Sequence, residues 1–225
     1  MSDWARFLSE VSWFVQPGDR VSVGEPQPWD RGPVDGLPEL STLLAAATRT
    51  PLSVGGADYE LLAWGPADAR RGWLCRPPGD GGDRVPELHR RFWTVCGGVV
   101  ERFRDPGGWW MNQNEVLTAA ATRENFGEML AAYSWIWEDE NLRVPIDPAD
   151  YYAAAVEANG NLTLAHREDG RLLLFAPDHG FDRVTPLAGC PPFSLLTFDD
   201  LPDLAAWIEV CARAWATPDA PAPPT

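Results

Sequence analysis

Residues 161–177, NLTLAHREDGRLLLFAP, set two apolar runs on either side of Glu168-Asp169-Gly170. Asp-Gly between apolar runs is the signature of a β-hairpin, and Leu162 and Leu164 alternate so that both reach one face. Strands joined this closely pair antiparallel, because a parallel pair needs a long crossover between its strands. The other candidate strands also come in runs. They are 59–64 and 72–75 around the polar GPADARR, VVERF at 99–103, the aromatic segment 133–137, and PPFSLLTF at 191–198. No regular βαβ alternation and no internal repeat is visible. The expected class is therefore α+β, a largely antiparallel sheet with helices packed on one face.

The helices are marked by their ends. Trp4, Phe7, Leu8, Val11 and Val15 recur at helical spacing behind a Ser2 or Asp3 cap, and QPGD stops the run. Residues 17–38, rich in Gly, Pro and Asp, read as a long loop, and LPELSTLLAAAT follows as a second helix ending near TPLS. RPPGDGGD is an internal loop. Pro86 opens a third helix with Leu88, Phe92 and Val95 on one face; Gly97 is expected at its left-handed C-terminal position, with Gly98 releasing the next strand. RDPGGWWMNQNE reads as a turn-rich connection. IDPADYYAAAVEANG has the punctuation of a short helix: Asp147 as cap, Pro148 in the first turn, Asn159-Gly160 as stop. Asp200 is expected to cap the last helix, whose stripe is Leu201, Leu204, Ile208, Cys211 and Trp215. The tail 217–225 lacks a packing face and is expected to be disordered.

With 45% hydrophobic residues and 12 Trp, the 225-residue chain has ample material for a core. A net charge of −15 removes the cationic source of phosphate-driven affinity, so nucleic acid is not an expected partner. All 18 cationic residues are Arg. Without lysine there is no Schiff-base or Walker chemistry. Cys75, Cys96, Cys190 and Cys211 lack paired spacing and clustered histidines, which is the pattern of reduced, buried thiols. Neither a metal nor a cofactor is expected. The N-terminus carries acids without an apolar core of signal-peptide type, and no stretch reaches the about 18 apolar residues of a membrane span. A cytoplasmic protein with no membrane partner is expected.

The ordered combination of a Pro-led helix running to Gly-Gly, the hairpin opened by ANGNLTL, the strand RLLLFAPDHGFD and the closing DDLPDLAAWIEVCARAW resembles the SMI1/KNR4 family of the SUKH superfamily. The resemblance covers about residues 84–216 of a single domain over 1–216 and leaves 1–83 as an N-terminal helical extension. Where that family often has Asn before Gly-Gly, this chain has Cys96. The resemblance implies an α+β domain that binds protein and is not an enzyme, in bacteria commonly an immunity protein that neutralises a cognate toxin. Relatives also serve as scaffolds or regulators, which would here recognise a peptide or partner through the sheet.

The residues themselves offer weak catalytic signals. His89 reads as a surface histidine on a helix, His166 as an exposed strand end, and Asp178-His179 as loop structure before Gly180. Paired carboxylates such as Asp199-Asp200 are too common in an acidic chain to single out a hydrolase, which stays as a third alternative. The binding candidates are Trp109 and Trp110, aromatic residues in a loop, and the acids Glu138, Asp139, Glu140, Asp147 and Asp150. Trp135 and Trp137, alternating on a strand, are expected to share one packed face. The acids after them form an expected rim of negative potential suited to a basic toxin domain.

Overall fold

The structure, a computed structural model, describes residues 1–79, 82, 84–106, 113–178 and 180–217. Those residues form six α-helices: α1 (Asp3–Glu10), α2 (Pro38–Ala45), α3 (Glu87–Trp93), α4 (Phe126–Ala132), α5 (Trp135–Asp139) and α6 (Leu204–Ala216). The strands are β1 (Val21–Val23), β2 (Gln27–Pro28), β3 (Thr48–Val54), β4 (Ala57–Trp64), β5 (Arg71–Cys75), β6 (Val99–Phe103), β7 (Gln113–Val116), β8 (Tyr151–Glu157), β9 (Leu162–His166), β10 (Leu172–Phe175), β11 (Val184–Pro186) and β12 (Leu195–Phe198). All belong to one sheet, in the order β1-β3-β4-β5-β6-β7-β8-β9-β10-β12-β11, with β2 beside β3. The named pairings are antiparallel, as the hairpin led one to expect. Because β5 pairs with β6, Gly72 opposite Phe103, the segments before and after residue 84 share that sheet.

Helices cover both faces of the sheet, not one. In β4, Leu62 and Trp64 join a core with α2, α3 and α6, while Leu61 and Ala63 join another with Phe7 of α1. In β10, Leu172 and Leu174 face the first core, whereas Leu173 and Phe175 pack with Phe126 and Leu130 of α4 and Trp137 of α5. Successive strand residues point to opposite sides, so burying both sides makes a strand continuously apolar.

This double burial explains the main departure from the sequence reading. Residues 151–157, expected as a helix, are strand β8, paired with β7 and β9. The Asp147-Pro148 punctuation is used, but for one 3-10 turn only: the Asp147 carboxylate accepts from the Ala149 N–H at 2.9 Å and the turn ends at Asp150. Ala153, Ala154 and Ala155 are fully buried at the centre of the sheet, where small side chains admit the larger residues packed above and below. An apolar run of this length fits a buried strand as well as a helix, and tertiary packing decides.

The converse error falls on 133–137. These residues end α4 and build α5, in which Trp137 is buried among Phe126, Leu130 and Phe175 while Trp135 is 55% exposed. Residues two apart on a helix are turned by about 200° from each other, so the two indoles cannot share a face. The 17–38 loop contains the short strands β1 and β2, and β3 follows α2 where only a helix stop was expected.

At the other punctuation points, the cap of α6 is Asp203, whose side chain accepts from the Ala206 N–H at 2.9 Å; Asp200 pairs with Arg183 instead. Leu204, Ile208, Cys211 and Trp215 of that helix are buried as expected, while Leu201, also buried, precedes the helix. Helix α3 ends at Trp93, four residues before the glycine pair. Gly98, with φ +102°, takes the left-handed conformation, and Gly97 has a different task. Its N–H donates to the Arg76 carbonyl at 3.0 Å, and a Cβ there would lie 2.2 Å from the Pro77 carbonyl oxygen. The pair therefore lets two chain segments touch just ahead of β6. The tail from 218 onward lies outside the described residues.

Candidate partner-binding surface

Helix α5 is short and sharply ended. The Asn141 N–H donates to the Glu138 carbonyl at 3.0 Å and the Leu142 N–H to the Trp137 carbonyl at 2.8 Å, with Asn141 left-handed at φ +54°. This is a Schellman closure, with Asn where Gly is more usual. It leaves Glu138, Asp139 and Glu140 in the last turn and cap, beside backbone carbonyls that carry partial negative charge. Carboxylates are unfavourable there. Glu138 is partly compensated, since its carboxylate accepts from the Ser134 hydroxyl at 3.0 Å.

Beside this end lies a cleft of about 340 Å³, lined by Trp135, Asp139, Glu140, Asp178, Pro192 and Phe193 among others. Phe193 is 52% exposed, comparable to Trp135. Two large aromatic side chains thus stand half in solvent next to carboxylates, a pairing of apolar anchor and charged rim typical of protein contact surfaces. Next to the cleft, burial pushes the Cys190 thiol above its ordinary range, which disfavours a thiolate there. The described cysteines are all free, and Cys75, Cys96 and Cys211 are buried.

Of the sequence candidates, Asp139 and Glu140 line the cleft and Glu138 adjoins it. Asp147 and Asp150 sit apart from it, in the turn before β8. Trp109 and Trp110 lie outside the described residues, as does His179. Phe193 and the exposure of Trp135 were missed. Phe126, Leu130 and Trp137 share helical spacing, and this was the signal that would have turned Trp135 outward.

The histidines also move. His89 is fully buried, between the Tyr152 hydroxyl and the Leu117 carbonyl, and is no surface residue. His166 ends β9 with its side chain mostly covered and Nδ1 2.9 Å from Asp169. Asp199 accepts from the Thr185 hydroxyl and Asp200 bonds Arg183, so those neighbouring carboxylates serve separate contacts. Among the described residues, no group of three or more His, Cys, Asp or Glu side chains is placed to hold a metal ion, and no helix is long and apolar enough to cross a membrane. Comparison of the chain with protein-family models, with curated proteins and with solved structures gives no match.

Proposed function

We propose that this chain is an intracellular protein-binding domain of the immunity type, which neutralises a cognate toxin by covering its active or substrate surface, and that the partner docks on the cleft beside α5. The observation that carries the reading is the convergence of exposed Trp135 and Phe193 with Asp139 and Glu140 in one concave surface. Half-buried aromatic side chains supply contact area at low conformational cost, and the carboxylates favour a basic contact face on the partner. Occlusion needs no covalent step. A cationic partner would also relieve the carboxylates crowded at the helix end.

The test pairs growth rescue with association kinetics. Co-expression with the C-terminal domain of a modular toxin encoded beside this chain should restore growth, and Trp135→Ala should weaken that rescue. Reversing Glu138, Asp139 and Glu140 to Arg should slow association by about tenfold or more at low salt and much less at high salt. Absence of rescue by the parent chain would overturn the immunity reading. Association rates indifferent to both the reversals and the salt would remove the partner from this cleft.

A further inference from the structure

A second concave surface has the opposite sign. A cleft of about 530 Å³ is lined by Arg84, Arg123 and Arg167 together with Val85, Glu124 and Asn125. The three arginines come from three separate segments: the stretch before α3, the turn before α4 and the β9–β10 connection. In a chain of net charge −15, with 33 acidic residues to choose from, most arginine positions find carboxylates. Arg31 pairs with Glu60, Arg70 with Asp3, Arg90 with Glu87 and Arg171 with Asp169. Arg84, Arg123 and Arg167 form no ion pair in the described structure.

Arg167 is held in place by the backbone. Its Nε donates to the Ala149 carbonyl at 2.9 Å, its Nη1 to the Arg84 carbonyl at 2.5 Å, and its guanidinium lies 5.5 Å from the Tyr152 ring centre. Burial, with the nearby Arg84 charge, lowers its proton affinity. Asn125 has its side-chain oxygen engaged by the Glu128 N–H as the cap of α4, which leaves its amide N–H pair as further donors. Among the described lining residues, three guanidiniums stand against the one Glu124 carboxylate.

We propose that this cleft binds a compact phosphate dianion, either free or as the end of a small phosphomonoester. A phosphate, with a charge of about −1.5 to −2 and three acceptor oxygens, offers an acceptor to each of the three guanidiniums, which the two oxygens of a single carboxylate do not. Guanidinium groups match phosphate oxygens with paired donors. Arg123 also lines an adjoining cleft of about 270 Å³ with Pro77, Trp93 and Ala119, which offers room for the alcohol portion of an ester.

The experiment is titration of the full chain with inorganic phosphate and with glycerol phosphate, against sodium chloride at matched ionic strength, read by calorimetry and by the shift in unfolding temperature. Saturable binding beyond the chloride control is expected. Arg84→Gln and Arg123→Gln should each weaken it by about fivefold or more, because each removes a charge-assisted pair of bonds. Glu124→Gln should tighten it by about threefold or more by removing the opposing charge. That gain of affinity cannot come from misfolding, so it decides the matter even if an arginine variant folds poorly. Tighter binding of glycerol phosphate than of phosphate assigns the site to a small phosphorylated molecule; equal affinity assigns it to the free anion. Phosphate acting only as chloride does, or affinities unmoved by all three substitutions, would overturn the proposal.

Discussion

Lowering the pH should unfold this protein partly through one buried ring. His89 is fully enclosed, with Nδ1 2.9 Å from the Tyr152 hydroxyl and Nε2 3.0 Å from the Leu117 carbonyl. A carbonyl only accepts, so Nε2 carries the proton and Nδ1 accepts from the tyrosine hydroxyl. Protonating Nδ1 breaks that bond and places a charge in a low-dielectric interior. Burial accordingly pushes the His89 pKa down from 6.5 to about 4, against the Leu117 carbonyl, which favours the charged form. Because the folded value is depressed, the unfolded chain binds more protons between pH 6.5 and 4. The stabilisation is complete above pH 6.5 and is lost as the pH falls through that window. The two values give a loss of about 3 kcal/mol between pH 7 and 4, at a slope approaching about 1.4 kcal/mol per pH unit. In His89→Gln, the amide nitrogen can still donate to Leu117 and the amide oxygen can still accept from Tyr152, but nothing titrates. Urea unfolding of parent and variant from pH 7 to 4.5 should show the parent losing about 2 kcal/mol relative to the variant, a difference that cancels the other titrating groups. Parallel stability curves for the two proteins would refute the burial and bonding assigned to His89.

Two further changes test the packing directly. Gly97→Ala sets a Cβ 2.2 Å from the Pro77 carbonyl oxygen, so the denaturant midpoint should fall by an amount equivalent to about 1–3 kcal/mol; an unchanged midpoint would mean the two segments do not approach as described. Glu209 of α6 accepts from the N–H groups of Glu39 and Leu40 at 2.9 and 3.1 Å, capping α2 in place of Leu37, which has no capping side chain. Glu209→Ala should cost about 1–2 kcal/mol in urea unfolding, and parental stability would refute that bridge between the helices.

What the sequence made legible was local and what it hid was tertiary. The hairpin from Leu162 to Phe175 and the strands around GPADARR carry their own turn chemistry, and each formed where its residues placed it. Residues 151–157 also carry correct turn chemistry at Asp147-Pro148, yet the alanines that favour a helix in isolation are taken by β8 because two neighbouring strands and two cores claim them. The cap of α2 sits 170 residues away in the chain, on Glu209, where no local pattern could announce it. His89 belongs to the same class: nothing around it in sequence names Tyr152 or Leu117 as its partners. The acids after Trp137 were legible as a charged cluster, but which indole stood beside them depended on helix against strand.

The covering of both sheet faces also decides where binding can occur. Recognition through the sheet, the natural expectation for an α+β domain with helices on one side, would require an open face. Here β5, β8 and β10 are almost wholly buried, with α1, α4 and α5 on one side and α2 and α6 on the other. Reaching those strands would mean stripping away a helix and exposing an apolar core, at a cost that a surface partner has no means to offset. Contact is thereby pushed outward, to sheet edges such as the exposed β1, to helix ends and to connections. The two clefts follow that rule. One lies at the end of α5 beside the turn carrying Phe193, the other where the β9–β10 connection meets the approaches to α3 and α4. That placement permits side chains of either sign, since segments outside the packed sheet hold acids or arginines at a smaller burial penalty than the sheet interior would impose.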